Sequence, residues 1–253
     1  MFMEEKHNNT LLRNSNNKTI FDKKYFLINF HLPLLIFSTL NSFGQNIGLA
    51  SNFNTSLKHA HLTGTWNYKV ESIDDLNYDI SKYVDSLFLE KKVIPVKTND
   101  FDFKILSYYV PSNTNKSIAA KLFEYCDKKN LDAIIIFYKN NYYPSLSPFK
   151  NMYYDDIDYG ILSYKHAEYR LFYYTNVSFI YYIKKTNKLE IPNVKIDDPN
   201  YFNGKMIKND SITFDKNLKL NNAQEKIKQF LPIYKNLFKS YVFKILEEIH
   251  KNS

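Results

Sequence analysis

Ala133-Ile134-Ile135-Ile136-Phe137-Tyr138 is apolar at every position, the mark of a strand covered on both faces. Just before it stands Asn130, suited to a left-handed helix exit. Further upstream, Ile118, Ala119, Leu122, Tyr125 and Cys126 recur at helical spacing and give a helix one buried stripe. A helix feeding directly into a doubly covered strand is half of a βαβ unit. It implies right-handed crossovers and parallel pairing in the N-terminal half.

Working upstream, Leu62 to Val70 alternates, with Trp66, Tyr68 and Val70 on one face, and reads as a strand. A helix is expected from Ser72 to about Lys91, because Ile73, Leu76, Ile80, Val84 and Leu87 recur at steps of three and four. Asp75, three residues after Ser72, echoes a capping box. Val93-Ile94-Pro95-Val96 is confined by its proline to an edge or a loop. Phe101, Phe103, Ile105, Ser107 and Tyr109 mark the inward face of another strand, and Pro111 to Asn115 forms a turn and cap cluster.

Downstream, residues 140–157 read as a long polar, tyrosine-rich loop, a kind that is often functional. Tyr159 to Ile183 reads as one or two long strands. Lys184 to Lys188 turns that run back into Leu189-Glu190-Ile191, so antiparallel pairing is expected. Residues 192–217 show no period. A final helix runs from about Asn222 to His250 with a broad apolar stripe, and Pro232 should kink it. The expected class is α/β: a mixed sheet with a parallel βαβ N-terminal half, an antiparallel aromatic hairpin and a long kinked C-terminal helix. With no Gly/Pro/Ser-rich linker after Gly44, residues 45–253 are expected to form one domain.

The first 44 residues read differently. Lys23-Lys24 precedes the apolar run Tyr25 to Leu40, and Ser42-Phe43-Gly44 follows it, the layout of a cleavable signal peptide. An uncleaved anchor is the rival reading. A spanning helix wants about 20 predominantly apolar residues, and Asn29, His31, Pro33 and Asn41 interrupt this run. In both readings the domain is exported, to the periplasm or beyond. Residues before Lys23 are rich in Asn and Lys and read as a disordered leader. No Cys follows the apolar core, which excludes a lipid-anchored signal.

Net charge is +8, of which the leader supplies +2 through five cations and three anions. A basic exported domain suits anionic envelope polymers. Arginine occurs only at Arg13 and Arg170. Base readout leans on arginine, and export argues against a nucleic-acid partner as well. The single cysteine, Cys126, cannot form an internal disulfide and falls on the apolar side of its helix, where a thiol is inert.

Five glycines, Gly44, Gly48, Gly64, Gly160 and Gly204, are too scattered for a phosphate-cradling loop, a dinucleotide fingerprint or a nucleophile elbow. No cofactor and no metal are expected. His59-Ala60-His61 is a suggestive pair, because alternate residues of an extended chain face the same way. A third ligand would have to come from His166 or a distant acid, and two exposed loop histidines are the expected state. Asp155-Asp156-Ile157-Asp158 is dense in oxygens but lacks the spacing of a calcium loop. Ligands of open α/β sheets sit beyond the carboxyl ends of parallel strands. That rule, with helix N-termini near Ser72 and Asn115, nominates Asn113, Asn140, Tyr142 and Tyr143 as the border of a recognition surface. Asp155 and Asp156 belong to its rim.

The series of capped helix, strand and helix, then Asn130-Leu131-Asp132-Ala133 into Ile134-Ile135-Ile136, then Asp158-Tyr159-Gly160-Ile161 and an aromatic hairpin resembles a known type. It is similar to exported α/β domains of the anticodon-binding-like type, found in the TolB amino-terminal domain and in lipoproteins that activate penicillin-binding proteins. The resemblance spans roughly residues 62–190 and implies an envelope protein that binds other proteins without catalysis. The chain departs from the type in lacking the lipid-bearing cysteine and in adding the C-terminal helix, so no site residue carries over. A non-catalytic module binding a protein or an anionic polymer is therefore expected. The alternatives are an exported hydrolase assembled from dispersed His and Asp residues, which clustering of His59, His61 and His166 with an Asp would favour, and a membrane-tethered domain.

Overall fold

The computed structural model describes residues 44–64, 69–108, 115–139, 157–165, 168–194, 206–208 and 212–252. The chain divides at Leu40/Asn41, and all described residues belong to the second unit, Asn41–Ser253. Its elements are β1 (Ile47–Ser51), β2 (Ser56–Thr63), β3 (Lys69–Asp79), α1 (Ser81–Glu90), β4 (Val96–Lys97), a 3-10 helix (Phe103–Tyr108), α2 (Lys116–Lys128), β5 (Ala133–Lys139), β6 (Tyr159–Lys165), β7 (Tyr169–Thr175), β8 (Val177–Ile183), β9 (Lys188–Glu190), β10 (Met206–Lys208) and α3 (Ala223–Lys251). The fold is mixed α/β. Among the described residues no helix is long and apolar enough to cross a membrane.

Two five-stranded mixed sheets carry the fold, ordered β4-β1-β5-β8-β9 and β10-β7-β6-β2-β3. The chain passes from one to the other twice at short breaks. Asn52 to Thr55 separates β1 from β2, and Asn176 alone separates β7 from β8. Strands adjacent in the first sheet therefore have continuations adjacent in the second. β1 runs parallel to β5, with Leu49 opposite Ile135, and β2 runs parallel to β6, with Ala60 opposite Leu162. The return strand is antiparallel in both, placing Ile135 opposite Tyr181 and Leu162 opposite Phe172.

β5 is the central strand of its sheet, and its alternation sorts the two cores. Ile135 and Phe137 join the α1/α3 core, whereas Ile134, Ile136 and Tyr138 join Leu122, Cys126 and Ile180 under α2. The apolar stripe of α3 covers faces of both sheets. Phe238 packs edge-on against Phe137 and Phe179, with centroids 6.3 and 5.1 Å away. Tyr234 lies 5.1 Å from Tyr159 and 4.9 Å from Tyr173. The Tyr234 hydroxyl donates to the Gly160 carbonyl and accepts the Tyr174 N–H at 3.2 Å, which satisfies a polar tip inside the core.

Helix α2, the doubly covered β5, the left-handed Asn130 (φ 53°) and the turn from β8 to β9 lie where the sequence places them. Three expectations are corrected. Residues 72–79 belong to β3, an edge strand paired with β2, and the helix begins only at Ser81, whose N–H donates to Asp79 Oδ1 at 2.7 Å. The inward positions of β3 include polar Ser72 and Asp74, so the strand period of two is hidden while the apolar residues mimic a helical stripe. Within the strand expected at Phe101 to Tyr109, Phe103–Tyr108 instead form a 3-10 helix, started by Asp102 accepting the Lys104 N–H at 3.0 Å, and Tyr109 lies outside the described residues. Leu62 and Val70 sit on two paired strands rather than one; Trp66 and Tyr68 lie outside the described residues.

Candidate functional site

The six residues nominated from the sequence, Asn113, Asn140, Tyr142, Tyr143, Asp155 and Asp156, lie outside the described residues. Both roots of the segment holding five of them are described, because Lys139 ends β5 and Asp158 precedes β6. Lys139 Nζ stands 3.2 Å from Asp158 Oδ1. The other Asp158 oxygen accepts the Asn54 N–H, and the Asp158 carbonyl accepts the Asn176 N–H at 2.7 Å. The Asn52 side chain accepts the Lys139 N–H at 2.9 Å. This polar knot occupies the junction where the chain changes sheet. Within it the Asn176 side-chain amide is buried with no hydrogen-bond partner among the described residues. The helix N-terminus expected near Ser72 is absent from this edge, since Ser72 is part of β3.

A second polar group is buried in the other sheet. His59 and His61, two apart on β2, leave the same face of the strand. They are not loop residues, and His59 has no exposed surface while His61 keeps 4%. Their rings meet at the buried Ser163 of β6, with His59 Nε2 at 2.8 Å and His61 Nδ1 at 2.9 Å from its Oγ. On the far side, His59 Nδ1 faces Asp74 Oδ2 of β3 at 3.8 Å. His166 lies outside the described residues.

The carboxylate orders the protons of this group. Asp74 favours a proton on His59 Nδ1, leaving Nε2 bare to accept the Ser163 hydroxyl. Ser163 has one proton to give, so its oxygen accepts the N–H of His61 Nδ1. Burial pushes His59 down to about 4 despite the opposing pull of Asp74. Burial lowers His61 as well, against the pull of Glu71. Both rings are neutral near pH 7.

A strap, Ile212 to Leu220, closes the group. The Phe214 ring centroid lies 4.0 Å from that of His61 and 5.3 Å from Tyr169. The strap is held by the Phe214–Leu220 bridge, by Ser72 Oγ donating to the Leu218 carbonyl at 3.5 Å and by Lys219 Nζ 3.9 Å from Asp74 Oδ1. The order Asp74, His59, Ser163 is that by which a base activates a hydroxyl nucleophile. In this conformation Ser163 has no exposed surface, so no substrate reaches it. Among the described residues no three His, Cys, Asp or Glu side chains converge for a metal.

A pocket of about 560 Å³ lies at the opposite, amino end of β5. Its walls include Gln45, Phe123, Asp132, Ile183, Lys184 and Ile249. Asp132 clamps the entering chain there. Its carboxylate accepts the Asn46 N–H and its own N–H donates to the Asn46 carbonyl, both at 2.8 Å.

The His59/His61 pair is visible in the sequence, but Asp74 and Ser163 are not. The available signal is a polar residue at the inward position of an otherwise alternating strand. Comparison with protein-family models, curated proteins and solved structures finds no match for this chain.

Proposed function

We propose that the chain after Gly44 is an exported domain of the cell envelope, periplasmic or secreted, which binds a protein or an anionic polymer without catalysis. The observation that carries this reading is the Lys139–Asp158 pair. It ties together the two roots of residues 140–156 beyond the carboxyl end of a parallel strand, where open α/β sheets recognise ligands. The basic, apolar, small-residue order from Lys23 to Gly44 supplies the address. The sealing of Ser163 and His59 supports a non-catalytic role for the group that has nucleophile chemistry among the described residues. The test is fractionation of cells making the full chain, followed by identification of the N-terminal residue. A chain outside the cytoplasm that begins at Gln45 supports the reading, and one that still carries Lys23 overturns the secretion claim.

The Asp74–His59–Ser163 order favours a second reading, an exported hydrolase that works with the strap lifted. A fluorophosphonate probe that labels wild type but not Ser163→Ala would establish it, and absence of labelling would remove it.

A further inference from the structure

We infer that Gln45 is a modification site, cyclised after export to a pyroglutamyl N-terminus that seats against the pocket at the amino end of β5. The inference rests on the export reading, because cleavage after Gly44 leaves Gln45 as the first residue. Its chemistry is self-contained. The free α-amine of Gln45 attacks the Cδ carbon of its own side-chain amide, a five-membered lactam closes, and the side-chain nitrogen leaves as ammonia. No oxidant, reductant or second substrate is consumed.

The structure supplies reasons for that end to be built this way. Asn46 is fixed, since Asp132 holds both its N–H and its carbonyl, and Ile47 enters the ladder opposite Ala133. Gln45 is therefore the last residue outside the backbone ladder. Its side chain is nonetheless turned inward, with Oε1 buried and no hydrogen-bond partner among the described residues. Cyclisation keeps that carbonyl oxygen, but it removes the side-chain NH2 and turns the charged α-amine into a neutral lactam N–H, leaving fewer polar groups to satisfy at this wall. The surrounding wall includes Phe123, Ala133, Ile183 and Ile249, which suits a compact neutral ring better than a flexible primary amide beside a charged amine. Lys184 also lines the pocket, engaged with Asp127 at 2.6 Å. Loss of the α-ammonium leaves one cation fewer near it.

The test is stepwise degradation and intact mass of the protein recovered from outside the cytoplasm, wild type beside Gln45→Ala. The wild type is expected to resist degradation, to weigh one ammonia less than residues 45–253, and to read from Asn46 after treatment with pyroglutamyl peptidase. The Gln45→Ala chain should degrade from its own first residue without treatment. A wild-type chain that begins at Gln45 with its full mass overturns this inference and leaves the export reading intact. A chain outside the cytoplasm that begins elsewhere overturns this inference and cleavage after Gly44, and a chain confined to the cytoplasm overturns the export reading as well.

Discussion

Lys139 and Asp158 form an ion pair of 3.2 Å across the two ends of residues 140–156, with side-chain exposures of 21% and 7%. The carboxylate also takes the Asn54 N–H, so a single buried acid joins the β1–β2 break, the end of β5 and the start of β6. Removing only the cation leaves that acid short of a partner. Lys139→Met should destabilise by about 2 kcal/mol in urea unfolding. Adding Asp158→Asn should recover part of the loss, and strict additivity of the two changes would show that the pair is uncoupled.

Gly160 shows how closely β2 and β6 approach. A Cβ there would collide with the Lys58 backbone carbonyl, which a side-chain rotation cannot relieve. Gly160→Ala should destabilise by about 1–3 kcal/mol, measured as a lower Tm. An unchanged Tm would mean that the two strands sit farther apart.

Stability should fall on mild acidification. His59 and His61 fold neutral, with His59 lowered to about 4, whereas the unfolded rings titrate near 6.5. The unfolded chain thus binds more protons between those values. Stability is whole above about pH 6.5 and is lost as pH drops towards 4, by roughly 3 kcal/mol for His59. Urea midpoints at pH 7.5 and 4.5 measure this, and His59→Gln should flatten the difference. An equal slope in that variant would assign the loss to other groups.

Cys126 is buried under α2, and burial pushes its thiol up to about 12. Maleimide should label it only in denaturant. Labelling of the native protein would show that α2 opens readily.

The parts legible in the sequence are those whose period runs unbroken. The doubly apolar β5 announces two covering layers, and α3 keeps its stripe from Ile227 to Ile249 despite Pro232. β3 is illegible because Ser72 and Asp74 occupy inward positions, where they serve the strap and His59. The 3-10 helix hides because an Asx turn at Asp102 overrides an alternating run. At the candidate sites, the His59/His61 pair can be read but its burial cannot. Ser163 is 104 positions from His59, and only the β2–β6 register brings them together. The role of Lys139 and Asp158 is likewise invisible until the ends of 140–156 are seen side by side.

The proposed recognition surface, bordered by Asn113, Asn140, Tyr142 and Tyr143 with Asp155 and Asp156 on its rim, is tested most directly by photo-crosslinking in intact cells. Tyr142→p-benzoylphenylalanine should yield an adduct with an envelope protein or polymer. The same replacement at Lys228, exposed on α3, should yield none. Tyr142→Ala with Tyr143→Ala should weaken partner capture while changing stability by less than about 0.5 kcal/mol, the result expected of side chains that serve a partner and not the core. No adduct at position 142, equal adducts at both positions, or unfolding of the double-alanine variant would contradict the account.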